Sequence, residues 1–382
     1  MMMKRILSLL MIVALMCSSA PAEASSASVS EGGLELMGSS VRYPQVTGLE
    51  DETLQQQVNQ SIQQSLGVPA LLSRLAMVMN APVPLTASYE AQITGNVFTA
   101  VLSASGPVLN DRTTHVWYAA NVDLEDGSLI TLADLFADPE AALAAISDEL
   151  DFTIAPDLSA HLRNSALTPV PEVFSISDTG LTLYYPIDQL STLSDRAGAV
   201  TFLWTELRDY LVLEEGSVLD RIGAKAMLEG SADAIRTAAE AGRLPGIPVA
   251  LGSSMQEAVD TYRMLTDPDL YQDGRMFALE ASAFRQAWVL TDALTEDWDH
   301  SVVKGLRTDR ICLYGLYTGM SRSEAQLILG ASAASVQLDQ EAAEGYRLNP
   351  GVSDYYNYTG AQLRLHFDGE EKLQSLMITQ SN

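Results

Sequence analysis

One pattern occurs twice in the chain, 67 residues apart: Gly252-Ser-Ser-Met-Gln-Glu-Ala258 and Gly319-Met-Ser-Arg-Ser-Glu-Ala325 share G-x-S-x-x-E-A. Such a pattern encodes the start of a helix. Ser254 and Ser321 stand where a hydroxyl can accept from the exposed backbone N–H groups of the first turn, and Glu257 and Glu324 complete a capping box three residues on. Apolar strand-like runs precede each copy, Ile247–Leu251 and Ile311–Tyr317. Further strand-like runs follow: Arg275–Leu279 and Trp288–Leu290 after the first, Leu363–Phe367 and Leu376–Ile378 after the second. A repeat of this length predicts two units of one helix plus antiparallel sheet, over 244–310 and 311–382.

Upstream the texture differs. Leu54, Val58, Ile62 and Leu66 recur every four residues among glutamines, which predicts a helix ended by Gly67 and Pro69. Residues 88–123 switch to strand character, with Asp126-Gly127 as a turn signal before Leu129-Ile-Thr-Leu132. Pro139 to Leu150 predicts a second helix, Phe174 to Tyr185 a hairpin, and Ala199–Phe202 and Thr205–Leu211 a strand and a short helix. This gives a first domain over 34–216, preceded by a polar linker at 25–33. A linker helix over 217–243 leads into the repeats. The fold class expected is α+β, antiparallel sheets with packed helices.

Lys4 and Arg5, the apolar run Ile6–Met16 and Ala22-Glu23-Ala24 have the layout of a secretory signal peptide over 1–24, cleaved after Ala24. Cys17 would offer a lipid-anchor site, but Met16 before it is not the small residue a lipobox wants. The expectation is an extracellular or cell-surface protein with no stable membrane insertion, from a bacterium. Acidic residues number 49 against 22 basic ones, and residues 25–216 hold 25 acids, 6 arginines and no lysine. That field argues against nucleic acid or an anionic membrane as partner, and favours a basic one.

The chemistry-bearing residues form no recognisable catalytic set, and no cofactor or metal is expected. His115, His161, His300 and His366 lack metal-ligand spacing. His115, beside Trp117 and Tyr118 on a strand, would act as a general base if it faced Asp111 or Asp123 in a groove; a hydrogen-bonded strand histidine is the simpler expectation. His366 alternates with Leu363, Leu365 and Phe367, which predicts a surface-facing ring. Asp292, Glu296, Asp297, Asp299 and His300 around Trp298 lack the glycine of a calcium loop and read as a solvated face. Asp267, Asp269 and Asp273 fail the EF-hand template because its twelfth position is Ala278. Cys312, in an apolar run, reads as an inert buried thiol. Tyr355, Tyr356 and Tyr358, with Trp288 and Trp298, are candidate interface anchors, the alternative being core packing.

Two resemblances bear on these residues. Tyr43-Pro-Gln45, Val58-Asn-Gln-Ser-Ile62, the segment Asp123-Leu-Glu-Asp-Gly127-Ser-Leu-Ile-Thr131-Leu-Ala-Asp134-Leu-Phe136 and the run Phe174 to Tyr185 resemble the extracytoplasmic domain of RsiV-type anti-sigma factors. Those factors sense lysozyme, and the same domain is found beside peptidoglycan deacetylase catalytic domains. The family's Gly-Ala-His is here Thr113-Thr114-His115. The pattern Gly319-Met-Ser-Arg-Ser-Glu-Ala325 with Leu329-Gly330 resembles the tandem modules of beta-lactamase inhibitor proteins and SmpA/OmlA-type lipoproteins. The resemblances imply a non-catalytic envelope protein that binds a macromolecule, for instance a basic lysozyme-like protein, with His115, Trp117, Tyr118, Tyr355, Tyr356 and Tyr358 as candidate binding residues. The alternatives are an enzyme acting on cell-wall glycan or peptide with His115 at its centre, and a structural envelope component.

Overall fold

The computed structural model describes residues 27–78, 82–109, 113–149, 170–184, 199–245, 247, 249–261, 263–264, 269–271, 274–280, 287–292, 298 and 300–381. The leader with Cys17, and Asp111, His161, Asp267, Asp273, Glu296, Asp297 and Asp299, lie outside them. The fold is α+β. No helix among the described residues is long and apolar enough to cross a membrane.

The first sheet runs in the order β1 (Ser28–Leu36), β2 (Ser39–Thr47), β3 (Thr86–Thr94), β4 (Val97–Gly106), β5 (Thr114–Asp123), antiparallel except for a short parallel β2–β3 contact. β1 begins at Ser28, inside the segment read as linker. Its polar, glycine-containing sequence shows no apolar alternation, and only pairing with β2 reveals it as a strand.

Helices α1 (Glu52–Ser65) and α2 (Val68–Met77) cover one face of this sheet. The Asp51 carboxylate caps α1 by accepting from Thr53 and Leu54 N–H. The apolar stripe lands where its period put it: Val58, Ile62 and Leu66 are buried against Phe98, Ala100 and Leu102. Gly67 joins the two helices with φ of 63°, a conformation that costs glycine little, and a Cβ there would press on the Tyr118 ring at 2.7 Å.

α3 (Pro139–Glu149) buries Ala142 and Ile146 in a second core, with the small sheet β6 (Phe174–Ile176), β7 (Gly180–Tyr184), β8 (Ala199–Leu203). The segment 217–243, read as a linker helix, holds three short helices that take part in packing: α4 (Val218–Arg221), α5 (Ala224–Leu228) and α6 (Ala232–Glu240), the last capped by Ser231. Leu219, Ile222 and Leu228 enter the second core, whereas Ile235 and Ala239 enter the third. Arg221 ties this segment to β5 through a two-pronged bond to the Asp123 carboxylate at 2.9 and 2.5 Å.

The C-terminal half is one sheet. After α7 (Met255–Thr261) come β9 (Arg263–Met264), β10 (Asp269–Tyr271), β11 (Gly274–Glu280), β12 (Ala287–Thr291), β13 (Gly305–Thr308) and the small pair β14 (Cys312–Leu313) and β15 (Leu316–Tyr317). Then follow α8 (Arg322–Leu329), β16 (Ala334–Leu338), α9 (Gln340–Glu344), β17 (Gly351–Tyr358), β18 (Ala361–Asp368) and β19 (Leu373–Gln380). The strand order is β10-β11-β12-β13-β19-β18-β17-β16, so the two units meet at their last strands.

The two copies of G-x-S-x-x-E-A make matching bonds. Gly252 N–H donates to Val303 O and Gly319 N–H to Leu373 O. Val303 and Leu373 N–H donate back to Ser253 O and Met320 O, and Met255 and Arg322 N–H to Ser301 O and Glu371 O. Each helix start is thus stitched to the strand that ends its own unit. Ser321 and Glu324 form the full capping box; Ser254 Oγ accepts from Glu257 N–H at 3.1 Å. The stitched segments run directly into β13 and β19, and the pairing of these strands sets Arg307 opposite Met377, the equivalent residues of the two units. The halves are therefore related by an approximate two-fold axis through that pair, and they share a single core on the helix side.

Candidate functional site

Strand alternation divides the six candidate binding residues among different faces. On β5, His115 and Trp117 lie on the helix-free face with Asn121, while Tyr118 points the other way and packs beside Gly67, where burial raises its hydroxyl pKa. On β17, Tyr356 and Tyr358 point into the C-terminal core, and Tyr355 lies on the opposite face. Tyr356 is buried, which pushes its hydroxyl up to about 12, with the Asp354 charge adding to the effect. It is therefore a core residue and not an exposed anchor, because a strand covered by helices on one face buries every second side chain there. Tyr358 is partly buried in the same way.

The His115 group is built by β4, β5 and β7. His115 Nε2 meets Ser103 Oγ at 2.6 Å, and its ring centre lies 5.2 Å from Trp117, which in turn lies 5.2 Å from Tyr184. Trp117 Nε1 is buried and meets no hydrogen-bond acceptor among the described residues. Four residues along the same face, Asn121 donates from Nδ2 to Phe174 O at 2.8 Å, while its Oδ1 is buried and accepts no bond there. One strand face thus carries an unmet donor and an unmet acceptor, roughly 13 Å apart at strand rise. Both atoms are buried, so leaving them unmet costs free energy that the surrounding fold must absorb.

The helix-free face of the C-terminal sheet holds a different arrangement, which the sequence reading missed. The pairings Ala278–Trp288, Trp288–Arg307, Arg307–Met377, Met377–Arg364, Arg364–Tyr355 and Tyr355–Ala334 set seven residues in one lateral row. The Arg307 guanidinium lies 4.4 Å from the Trp288 ring centre, and that of Arg364 lies 4.6 Å from Tyr346 and 5.8 Å from Tyr355. Arg307 is 2% exposed and donates to both Asp309 carboxylate oxygens, to Ser375 Oγ and to Tyr346 O. It thereby clamps the Tyr346–Leu348 segment onto the sheet.

Beside this row, Arg364 Nε donates to Ser353 Oγ, Ser353 Oγ lies 3.0 Å from His366 Nδ1, and His366 Nε2 lies 2.8 Å from Asn349 O. A carbonyl can only accept, so Nε2 carries the proton and Nδ1 accepts from Ser353. His366 is 1% exposed, not surface-facing as the alternation implied: both faces of this strand are covered, one by helices and one by the Tyr346 segment. Burial lowers its pKa, a backbone bond to Asn349 opposes this, and the charges of Arg364 and Arg307 lower it further.

Cys312 is buried, and burial pushes its thiol up to about 12 against the opposing bonds from Thr205. A disulfide reagent such as Ellman's should react with it only after unfolding; fast reaction in the native protein would place the thiol at the surface. Among the described residues no cluster of three or more His, Cys, Asp or Glu could hold a metal ion. Asp292 pairs with Lys304 at 3.8 Å, and His300 is exposed.

No family model matches the chain, and no curated protein matches it in sequence. Its structural neighbours are proteins of the DUF3298 and DUF4309 families. A DUF3298 member from Bacteroides fragilis aligns at 14% identity over 52% of this chain and 96% of its own, with a TM-score of 0.35. A DUF3298 protein from Pseudomonas aeruginosa aligns at 12% identity over 49% and 92%, TM-score 0.33. A DUF4309 protein, YjgB, from Bacillus subtilis aligns at 10% identity over 40% and 99%, TM-score 0.29.

Proposed function

We propose that the protein is an exported, non-catalytic binding protein of the bacterial cell envelope, whose first domain recognises a basic macromolecule of the lysozyme type. The observation that carries this reading is the helix-free face of β4 and β5. It carries the neighbouring rings of His115, Trp117 and Tyr184, within a region of 25 acids and 6 arginines. The negative field speeds encounter with a cationic partner, and a half-buried tryptophan supplies the kind of anchor that dominates interface energies. The RsiV-like motifs of this region and the inhibitor-like repeats behind it support the same reading.

Calorimetry against hen lysozyme at low and high salt tests it. Binding is expected to weaken as salt rises, and Trp117→Ala to weaken it by about tenfold or more with the fold retained by circular dichroism. Absence of binding at low salt would remove the lysozyme version, and an unchanged affinity in Trp117→Ala would move the surface elsewhere.

A second reading rests on the Ser103–His115 contact of 2.6 Å, the geometry of a hydroxyl nucleophile beside its base. In this reading the protein is a hydrolase or deacetylase acting on cell-wall polymers. His115→Ala would then abolish a measured activity on such substrates, and an activity that survives the change rules this out.

A further inference from the structure

The segment 345–349 lies as a strap across β13, β19 and β18 on their helix-free face. Tyr346 O accepts from Arg307 Nη1 at 2.6 Å, and Asn349 O accepts from His366 Nε2 at 2.8 Å. Asn349 N–H donates to Gln374 Oε1 at 3.0 Å, and the Tyr346 ring lies 4.6 Å from the Arg364 guanidinium. The apolar residues of the strap belong to a small cluster of their own, Leu338, Ala343 and Leu348 with Tyr346, apart from the main core on the helix side. Arg347 holds a φ of 53°, a left-handed conformation that strains any residue with a Cβ. Lifting the strap relieves that strain and leaves the main core closed.

His366 lies beneath, 1% exposed. Its Nε2 already donates to Asn349 O, so a proton can enter the ring only at Nδ1, the atom that accepts from the Ser353 hydroxyl. Protonation keeps the Asn349 bond, deprives the buried Ser353 proton of its acceptor, and adds a third cation to the site. β18 itself brings Arg364 and Asp368 to the ring, and β13 brings Arg307, whose charge Asp309 already matches. β17 and β19 bring the uncharged Ser353 and Ser375, and the strap carries Arg347 and no carboxylate. The space left under the strap is about 10 Å³, room for at most one water, so a new charge finds no solvent while the strap is down. Burial and the two guanidinium charges lower the His366 pKa, against the opposing pull of the Asn349 bond and Asp368. With the strap lifted, the ring meets water and these causes fall away.

We propose that the strap is an acid-released cover: protonation of His366 lifts residues 345–349 from the sheet and uncovers Arg307, Arg364 and Met377, while the strands beneath stay paired. The device belongs to the C-terminal sheet and is independent of the binding reading of the first domain.

Hydrogen exchange of the full chain by NMR, corrected for intrinsic rates, tests it at about pH 7.5 and about pH 5.0. A ring that titrates near 6.5 when open and lower when closed keeps the strap down above 6.5 and favours release below it. The opening constant read at the Asn349 amide is expected to rise by about ten- to thirtyfold between the two pH values, with the amides of β18 holding their protection. His366→Gln should abolish the rise. Tyr346→Ala, which removes the ring beside Arg364, should loosen the strap at both pH values and bring the His366 titration up toward 6.5. Equal protection of Asn349 at both pH values would overturn the proposal, and so would a rise that survives His366→Gln. Loss of protection throughout β18 together with Asn349 would mean unfolding of the sheet and would also overturn it. Should His366→Gln fail to fold, the His366 ring signals of the unaltered protein and of Tyr346→Ala decide: a release that does not track the ring titration, or a titration that Tyr346→Ala leaves unmoved, rules the device out.

Discussion

Arg307→Ala is expected to lower the stability of the C-terminal sheet by about 3–5 kcal/mol, read by urea denaturation. The change removes a nearly inaccessible guanidinium that makes bonds to Asp309, Ser375 and Tyr346 and stacks on Trp288. It leaves the Asp309 charge, whose side chain is 14% exposed, without its partner, and that uncompensated charge is the larger part of the cost. Arg307→Met combined with Asp309→Asn should recover most of the loss, because both charges leave together and methionine already occupies the two-fold-related position, Met377. If Arg307→Ala costs less than about 1 kcal/mol, the clamp on the Tyr346 segment contributes nothing beyond a surface pair.

Asp354→Ala is expected to cost about 3 kcal/mol or more by the same reasoning. Asp354 is fully buried on the helix side, where it accepts from Arg322 Nε and Nη2 at 2.8 Å each and from Ser335 Oγ at 2.5 Å. Burial alone raises its pKa, but the bonds from Arg322, Ser335 and Gln326 outweigh it and hold the carboxyl below the ordinary range. A carboxyl with a depressed folded pKa stabilises above its unfolded value, about 3.9, and that contribution is lost as pH falls below it. His366, also depressed, adds an earlier loss, beginning as pH falls below about 6.5, where the unfolded chain takes up a proton the folded one refuses. Acid titration of stability should therefore show a shallow decline from near neutrality and a steeper one in the carboxylate range. Asp354→Asn is expected to flatten the second and not the first. A variant that keeps the steeper decline intact would show that other carboxylates carry it.

The pairing of Arg322 with Asp354 links the repeat's helix start to its sheet, and nothing in the sequence announced it. Asp354 sits among Tyr355, Tyr356 and Tyr358, and a carboxylate there reads as solvated until α8 is placed over it. The lateral row through Trp288, Arg307, Arg364 and Tyr355 was hidden for a related reason: its members lie up to 76 positions apart and become neighbours only through strand order. By contrast, the helix starts at Ser254 and Ser321 were legible, since a cap is a bond between residues three apart.

What the chain determines by itself is local and periodic. The stripe of α1, the two capped helix starts, the strands of 88–123 and the buried Cys312 follow from spacing, because each depends on which side of one element a residue occupies. Which elements cover which face was decided only by the tertiary structure. Strand alternation told that Tyr355 and Tyr356 part company, but not that helices would bury Tyr356 or that the Tyr346 segment would enclose His366.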